Sequence, residues 1–413
     1  MTVPLAARGP RRPGTWTGLA LADLDPDRER PYWIVIAQVP GIGAVSVARL
    51  VARAGSLRAA WEAGLVEQVV TALPADVRRA ATDQVRRART QGLHALAAEL
   101  TARGRPRGIR PLTALDGSYP ARLTHLDPRP AVLWAAGDPA AWQANAVAVV
   151  GTRRPSGYGR SAAEEIGDEL ARASVTVVSG LAVGIDAVAH TAAIAAGGRS
   201  VAVLPSPIDR IYPPVHHELA RRIVSTGGAL LSELPPGQRP GRPDFARRNT
   251  IIAGLSEAVV VVEAPDQSGA LLTADAAIGY GRELFAVPGP MDAATSRGTN
   301  RLIADHLATL VTSPPALLHL IGLQRGQFPV SVRSLSEAEG LVLAAILKRS
   351  GSIEELAPRV KLPTSLLAAT LTMLEARGLV TAYSGATFHA TLEARRSGWG
   401  TTPTPPVSVG VSA

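Results

Sequence analysis

The chain has 413 residues, 46% of them hydrophobic but only 4% aromatic, and a net charge of +9. That length holds two or three domains with real cores, and the absence of cysteine excludes disulfides and thiolate metal sites and fits a reducing, cytoplasmic setting. No secretory leader or membrane span is evident, and residues 147–312 carry 15 basic against 16 acidic groups, so any phosphate binding there rests on local arginine placement.

In chain order, residues 1–30 (RGPRRPG, DLDPDRER) read as a flexible lead-in. Residues 31–107 read as a helical domain opening with VPGIGAVSVARLVARAG, a helix-hairpin-helix pattern. There the backbone N–H groups of Gly41 and Gly43 would reach phosphates without reading sequence; a purely structural hairpin fits equally. Residues 108–312 are expected to form the core with its lead-in, and the stretch 108–138 is a Pro- and turn-rich connection. Six short β-branched runs then alternate with Ala-rich helical segments: AVAVV, VTVVS, SVAVL, ALLSE, AVVVVEA and LFAVP. This predicts the α/β class, an extended Rossmann-like parallel sheet with helices on both faces, whose ligands sit at the carboxyl ends of the strands. A linker (313–335) leads to a winged-helix domain (336–390) with a hairpin turning at Ser384–Gly385, and 391–413 reads as a disordered tail. The second helix of that domain (364–377) is Leu- and Ala-rich and offers mainly Arg377 and the flanking Lys361, which favours protein contact or weak DNA contact over sequence readout.

The predicted strand ends carry the chemistry. VGTRRPSGYG puts Gly151, Thr152, Arg153 and Arg154 in a turn before a helix, without the GxGxxG or Walker A spacing. Backbone N–H groups at the helix start and guanidinium forks suit a phosphate on a cofactor, a small substrate or a nucleic acid. SGLAVGIDAVAH brings Ser179, Gly180 and Gly184 close to a ligand, with Asp186 and His190 at i,i+4 spacing to lock the turn as structural support. A Ser/His/Asp hydrolase reading lacks the GxSxG elbow. SELPPGQRPGRPDFARRN feeds Arg239, Arg242, Arg247 and Arg248 into a helix at Asn249, and EAPDQSGALLTADAA offers Ser268, Gly269 and Thr273. Together these loops make one anion-binding rim, with no catalytic residue, metal ligand or cofactor assigned. The rival readings are a nucleotide-processing enzyme using Glu263 and Asp186 as acid/base groups, and a duplex-binding winged-helix regulator.

In combination these motifs resemble the DNA-processing protein A (DprA/Smf) family from about Ala146 to Thr312. GTRRPSGYG matches its G-S/T-R turn and SGLAVGIDAVAH its SGxAxGIDxxAH. FARRNTIIAGLS matches FPxRNRxIAGLS, EAPDQSGALLTADAA matches ExxxxSGxLxTAxxA, and IDRIYPPVHHEL, LLSELPPG, VPG and GTNRLI also correspond. The resemblance implies a non-enzymatic, dimeric single-stranded DNA-binding protein that protects incoming DNA and loads the RecA recombinase during natural transformation. Arg153 would contact DNA phosphate, and Arg248 with Asn249 would form a second basic edge. The departures are Thr250 for an arginine, Ala246 for proline, Pro207 and His216 for Gly and Asn, and His306 and Leu307 for a Gly-Ala pair. With so few aromatic residues, base stacking is expected to contribute little.

Overall fold

The computed structural model describes residues 21–322, 335–348, 351–377, 379–383 and 387–390. The expected tail, the Ser384–Gly385 turn, most of the expected linker and the first twenty residues of the expected lead-in lie outside the described residues. The chain forms two compact units, Met1–Gly326 and Gln327–Ala413.

Helix α1 (Pro26–Ile36) begins inside the stretch expected as lead-in. Asp25 caps it by accepting the Asp27 N–H at 3.0 Å, and Pro26 takes the first turn, where no N–H is required. Arg30 then ties α1 to Asp116 at 2.6 Å. Helices α2 (Ala44–Ala54), α3 (Leu57–Glu62), α4 (Leu65–Thr71), α5 (Ala75–Gln91) and α6 (Leu93–Gly104) follow. Their apolar faces, with Trp33, Val47, Leu57 and Val66, share one core with Trp134, Leu181, Leu204 and Ile208. The helical region is therefore seated on the sheet region through a common apolar layer.

The strands of this unit are β1 (Arg110–Thr113), β2 (Val132–Gly137), β3 (Ala146–Val150), β4 (Thr176–Ser179), β5 (Ser200–Leu204), β6 (Ala229–Ser232), β7 (Ala258–Val261), β8 (Glu283–Ala286) and β9 (Thr309–Leu310). They form one sheet in the order β1-β2-β6-β5-β4-β3-β7-β8-β9. From β6 to β9 every neighbouring pair is parallel. The connecting helices are α7 (Ala121–Thr124), α8 (Pro139–Gln143), α9 (Gly157–Arg172), α10 (Ile185–Ala195), α11 (His217–Ser225), α12 (Arg242–Leu255), α13 (Gly269–Gly279), α14 (Arg297–Ala304) and α15 (Pro314–Leu320). Every β3 residue is buried: Val147 and Val149 face the α9 side, while Ala146, Ala148 and Val150 face the α12 side. Burial on both faces is why AVAVV is apolar without alternation.

Several elements depart from the sequence expectation, among them α12, which begins at Arg242 rather than at Asn249. β1 and β2 arise in the stretch read as a connection and pair antiparallel, with β2 antiparallel to β6. They are short runs in a proline-rich stretch, β1 itself containing Pro111, so no periodicity announced them. Helix α15 lies within the expected linker: Ser313 caps it and Leu317 and Leu318 are buried on the α9 side of the sheet. No described helix is long and apolar enough to cross a membrane.

The second unit holds α16 (Glu337–Lys348), β10 (Gly351–Ser352), α17 (Ile353–Val360), α18 (Thr364–Ala376), β11 (Val380–Tyr383) and β12 (Thr387–Ala390), with its strands ordered β10-β12-β11. Val342, Ile346, Leu356, Leu367, Leu371 and Leu374 form its core. The outward face of α18 shows Ser365, Leu366, Ala369, Thr372 and Met373. Arg377, expected as a basic contact, is engaged with Glu339 at 3.2 Å.

Candidate functional site

Because β3 to β8 run parallel, the loops that follow them emerge on one rim of the sheet. The strand order reverses at β3, so the rim has its switch point at the GTRRPS turn. There the Thr152 N–H donates to the Glu263 carbonyl at 2.7 Å, and the Ser156 N–H to Glu263 Oε2 at 2.9 Å. Ser156 Oγ accepts the Gly159 N–H at 3.0 Å and caps α9. The turn is thus held through its backbone, and the Arg153 and Arg154 side chains are exposed, with no partner among the described residues.

The turn after β4 wraps over a buried arginine. Asp186 Oδ2 accepts the N–H groups of Gly180 and Ala182 at 3.1 and 3.4 Å and stands 4.0 Å from Arg248 Nη1. Arg248 Nη1 also donates to the Val203 carbonyl at 3.3 Å, while its Nε has no protein partner. A Cβ at Gly180 would fall 1.2 Å from Arg248 Nη1, so a larger residue there would displace this guanidinium. Gly184, at φ +90°, would place a Cβ 2.3 Å from the Thr152 carbonyl. The two turns meet backbone to backbone, which only glycine permits. Burial raises the Asp186 carboxyl and lowers the Arg248 guanidinium from their ordinary values, and their mutual attraction opposes both shifts. His216, one of the departures, stabilises Leu181 at φ +57° by donating from Nδ1 to its carbonyl at 2.8 Å.

Asp186 accepts both N–H groups of the turn, whereas His190 does not join it. Its Nδ1 lies 2.6 Å from Ser200 Oγ, and that hydroxyl donates to the Val177 carbonyl at 3.0 Å, so the ring is the donor. His190 is fully buried with Nε2 unpartnered in the protein. Burial, followed by the nearby His216 and Arg248, pulls the imidazole down to about 3.

Arg153, Gly180, Val183, Tyr212, Phe245 and Arg248 converge on an open cleft. The Tyr212 and Phe245 rings meet edge to face at 5.7 Å, with Tyr212 43% exposed. Sequence reasoning passed over both aromatics, since scarcity argued against stacking; their position inside the YPP and DFARR segments was the available signal. Glu233, also missed, follows β6 and stands 3.8 Å from Arg247 Nε, while Arg247 Nη2 donates to Asp244. Burial pushes the Glu233 carboxyl up to about 7, opposed by Arg247 and reinforced by Asp244.

Other expected residues sit apart from the cleft lining. Asn249 Nδ2 donates to the Gly269 carbonyl at 3.3 Å, and Ser268 Oγ caps α13 through the Ala270 N–H. Thr273 is buried on α13, Ser179 Oγ donates to the Val149 carbonyl at 2.7 Å, and Thr152 Oγ1 accepts the Arg154 N–H. Glu263 is 2% exposed and spent on the β3 turn, while Asp186 lies behind Arg248, so neither has the open position an acid/base group requires. No group of three potential metal ligands occurs among the described residues.

What the rim offers is cationic and aromatic surface. Residues 110–322 match the family model of DNA recombination-mediator protein A. The Smf protein of Synechocystis sp. is 35% identical over 307 residues, covering 72% of this chain and 75% of that protein. A putative DNA processing protein DprA of Mycobacterium tuberculosis is 39% identical over 291 residues, covering 69% of this chain and 70% of that one. The X-ray structure of DNA processing protein A from Streptococcus pneumoniae superposes with a TM-score of 0.55 at 30% identity, over 70% of this chain and 97% of that one. The chain belongs to the DNA recombination-mediator protein A (DprA/Smf) family.

Proposed function

We propose that the rim binds a single DNA strand by its backbone, shields it, and passes it to RecA in the cytoplasm as incoming DNA is recombined. The observation that carries this reading is the cleft joining exposed Arg153 to buried Arg248 beside the Tyr212–Phe245 pair. Guanidinium groups hold phosphates, and the aromatic edges take a base without selecting it. The reading is of a binding protein without catalysis or cofactor. Dimerisation would place two such sites on one strand and raise avidity. The family's recombination-mediator description supports the RecA step. We read the second unit as a winged helix that contacts protein, because the outward face of α18 exposes Leu366 and Met373 and carries no charged residue but Glu375.

The direct test is a salt titration of binding to a labelled mixed-sequence strand and its duplex, for wild type and Arg153→Ala. The strand is expected to bind more tightly than the duplex. The variant should bind on the order of tenfold more weakly, with a salt slope smaller by about 0.7. Equal slopes would remove Arg153 from the phosphate path, and binding of neither DNA would sink the proposal.

Glu233 gives a second expectation. Protonation removes a negative charge beside Arg247, so strand affinity should rise as pH falls from 8 to 6, through the carboxyl's value of about 7. Glu233→Gln should bind tightly at both ends of that range, and an unchanged pH profile in the variant would exclude Glu233 as the linked group.

A further inference from the structure

Four arginines fall in the run RGRPRGIR where α6 passes into β1: Arg103, Arg105, Arg107 and Arg110. This run belongs to none of the motifs that define the rim. A 3-10 turn, Arg105–Arg107, presents its two arginine side chains to solvent, with no partner for either among the described residues. Exposed arginines of this kind add little to stability, and a concentration of them on one turn raises a local positive potential.

The turn is joined to the rim. The Arg103 guanidinium lies against Gly237 of the β6–α12 loop, 3.5 Å from where a Cβ would stand. The Gly237 N–H is clipped to Asp209 Oδ1 of the β5–α11 loop at 3.3 Å. Arg239 and Arg242 follow Gly237, both exposed and without a partner among the described residues, and lead to Phe245 and Arg248 in the cleft. The neighbouring carboxylates are already engaged: Glu99 by Arg87 and Arg103, Asp27 by Arg30, and Asp209 by Gly237. Exposed arginines therefore flank the Arg103–Gly237 contact on both sides in the chain, Arg105 and Arg107 on one and Arg239 and Arg242 on the other.

We propose that the α6–β1 turn is a second phosphate-binding station, where Arg105 and Arg107 take the backbone of the same DNA strand after it leaves the cleft and crosses the β6–α12 loop. This rests on the strand-binding reading of the cleft. It gives the N-terminal helical region a part in DNA binding independent of its Gly41–Gly43 hairpin, and it makes binding depend on strand length. A strand too short to leave the cleft gains nothing from the turn, while a longer one gains two phosphate contacts.

The test uses the full chain carrying Arg105→Ala and Arg107→Ala together, with strands of about 6 and about 24 nucleotides, within the range of single-strand site sizes. Arg110 is left in place because its guanidinium packs over the Trp142 ring at 5.7 Å. The double variant should bind the short strand as wild type does. It should bind the long strand on the order of tenfold more weakly, with a salt slope reduced by about 1.4. Unchanged binding of the long strand, or equal losses at both lengths, would overturn the proposal. If wild type binds neither strand, it is the strand-binding reading of the cleft that fails. Arg105→Lys with Arg107→Lys should restore most of the long-strand affinity if charge at the turn is what the strand senses.

Discussion

Asp186→Ala should cost about 3–5 kcal/mol of folding stability, the range found when one partner of a buried ion pair is removed. The loss has two sources. The substitution strips the acceptor from the Gly180 and Ala182 N–H groups and leaves Arg248, 7% exposed, without its counter-charge. Few domains of marginal stability tolerate that without partial unfolding, and the first part to loosen should be the turn over Arg248. Urea denaturation measures the loss. Asp186→Asn keeps an acceptor for the turn but not the charge, so its cost should be clearly smaller. Pairing Asp186→Leu with Arg248→Met should recover a substantial part of the stability, since neither charge then remains buried alone. A loss below about 1 kcal/mol for Asp186→Ala would mean that Arg248 finds other compensation and that the pair does not organise the rim.

The second large effect is acid sensitivity through His190. Its imidazole is held neutral by burial at about 3 in the folded chain, whereas an unfolded histidine titrates near 6.5. The folded state therefore carries fewer protons between these values. The stability this provides is complete above about pH 6.5 and declines by about 1.4 kcal/mol per pH unit as the medium is acidified toward the folded value. A urea series from pH 7 to pH 4.5 should show that decline in wild type and a shallower one in His190→Gln, which does not titrate. Parallel slopes in the two proteins would assign the acid sensitivity to other groups. His190 is not one of the residues that line the cleft, so its substitution should alter stability without altering the salt slope of strand binding.

These two residues show where the sequence was sufficient. The spacing of GID and the following AH placed Asp186 and His190 on one helix face. The pairing between them did not follow, because Ser200 on β5 and Arg248 on α12 supply nearer partners from distant parts of the chain. Local spacing tells which side chains share a face; it does not tell what the opposing element brings. The same reason explains Tyr212 and Phe245, thirty-odd positions apart, which became neighbours only when the β5 and β6 crossovers ended on one rim. Glu233 read as the last residue of a strand, and its raised value depends on burial beside Asp244 that no local pattern encodes.

By itself, the sequence determined the alternation of buried strands and helices from β3 to β8, since a strand covered on both faces must be apolar throughout, and with it the rim on which the arginine-bearing loops collect. It also determined the family, through motifs whose glycines mark places where backbones or a guanidinium meet too closely for any side chain. Tertiary structure alone decided the rest. β2 pairs antiparallel with β6 and β1 with β2, an arrangement that no local periodicity announced. The seating of the helical region against β2 and β5 brings Arg103 to Gly237. Contacts between residues far apart in the chain depend on how the layers pack, and packing is a property of the assembled surfaces rather than of any one stretch.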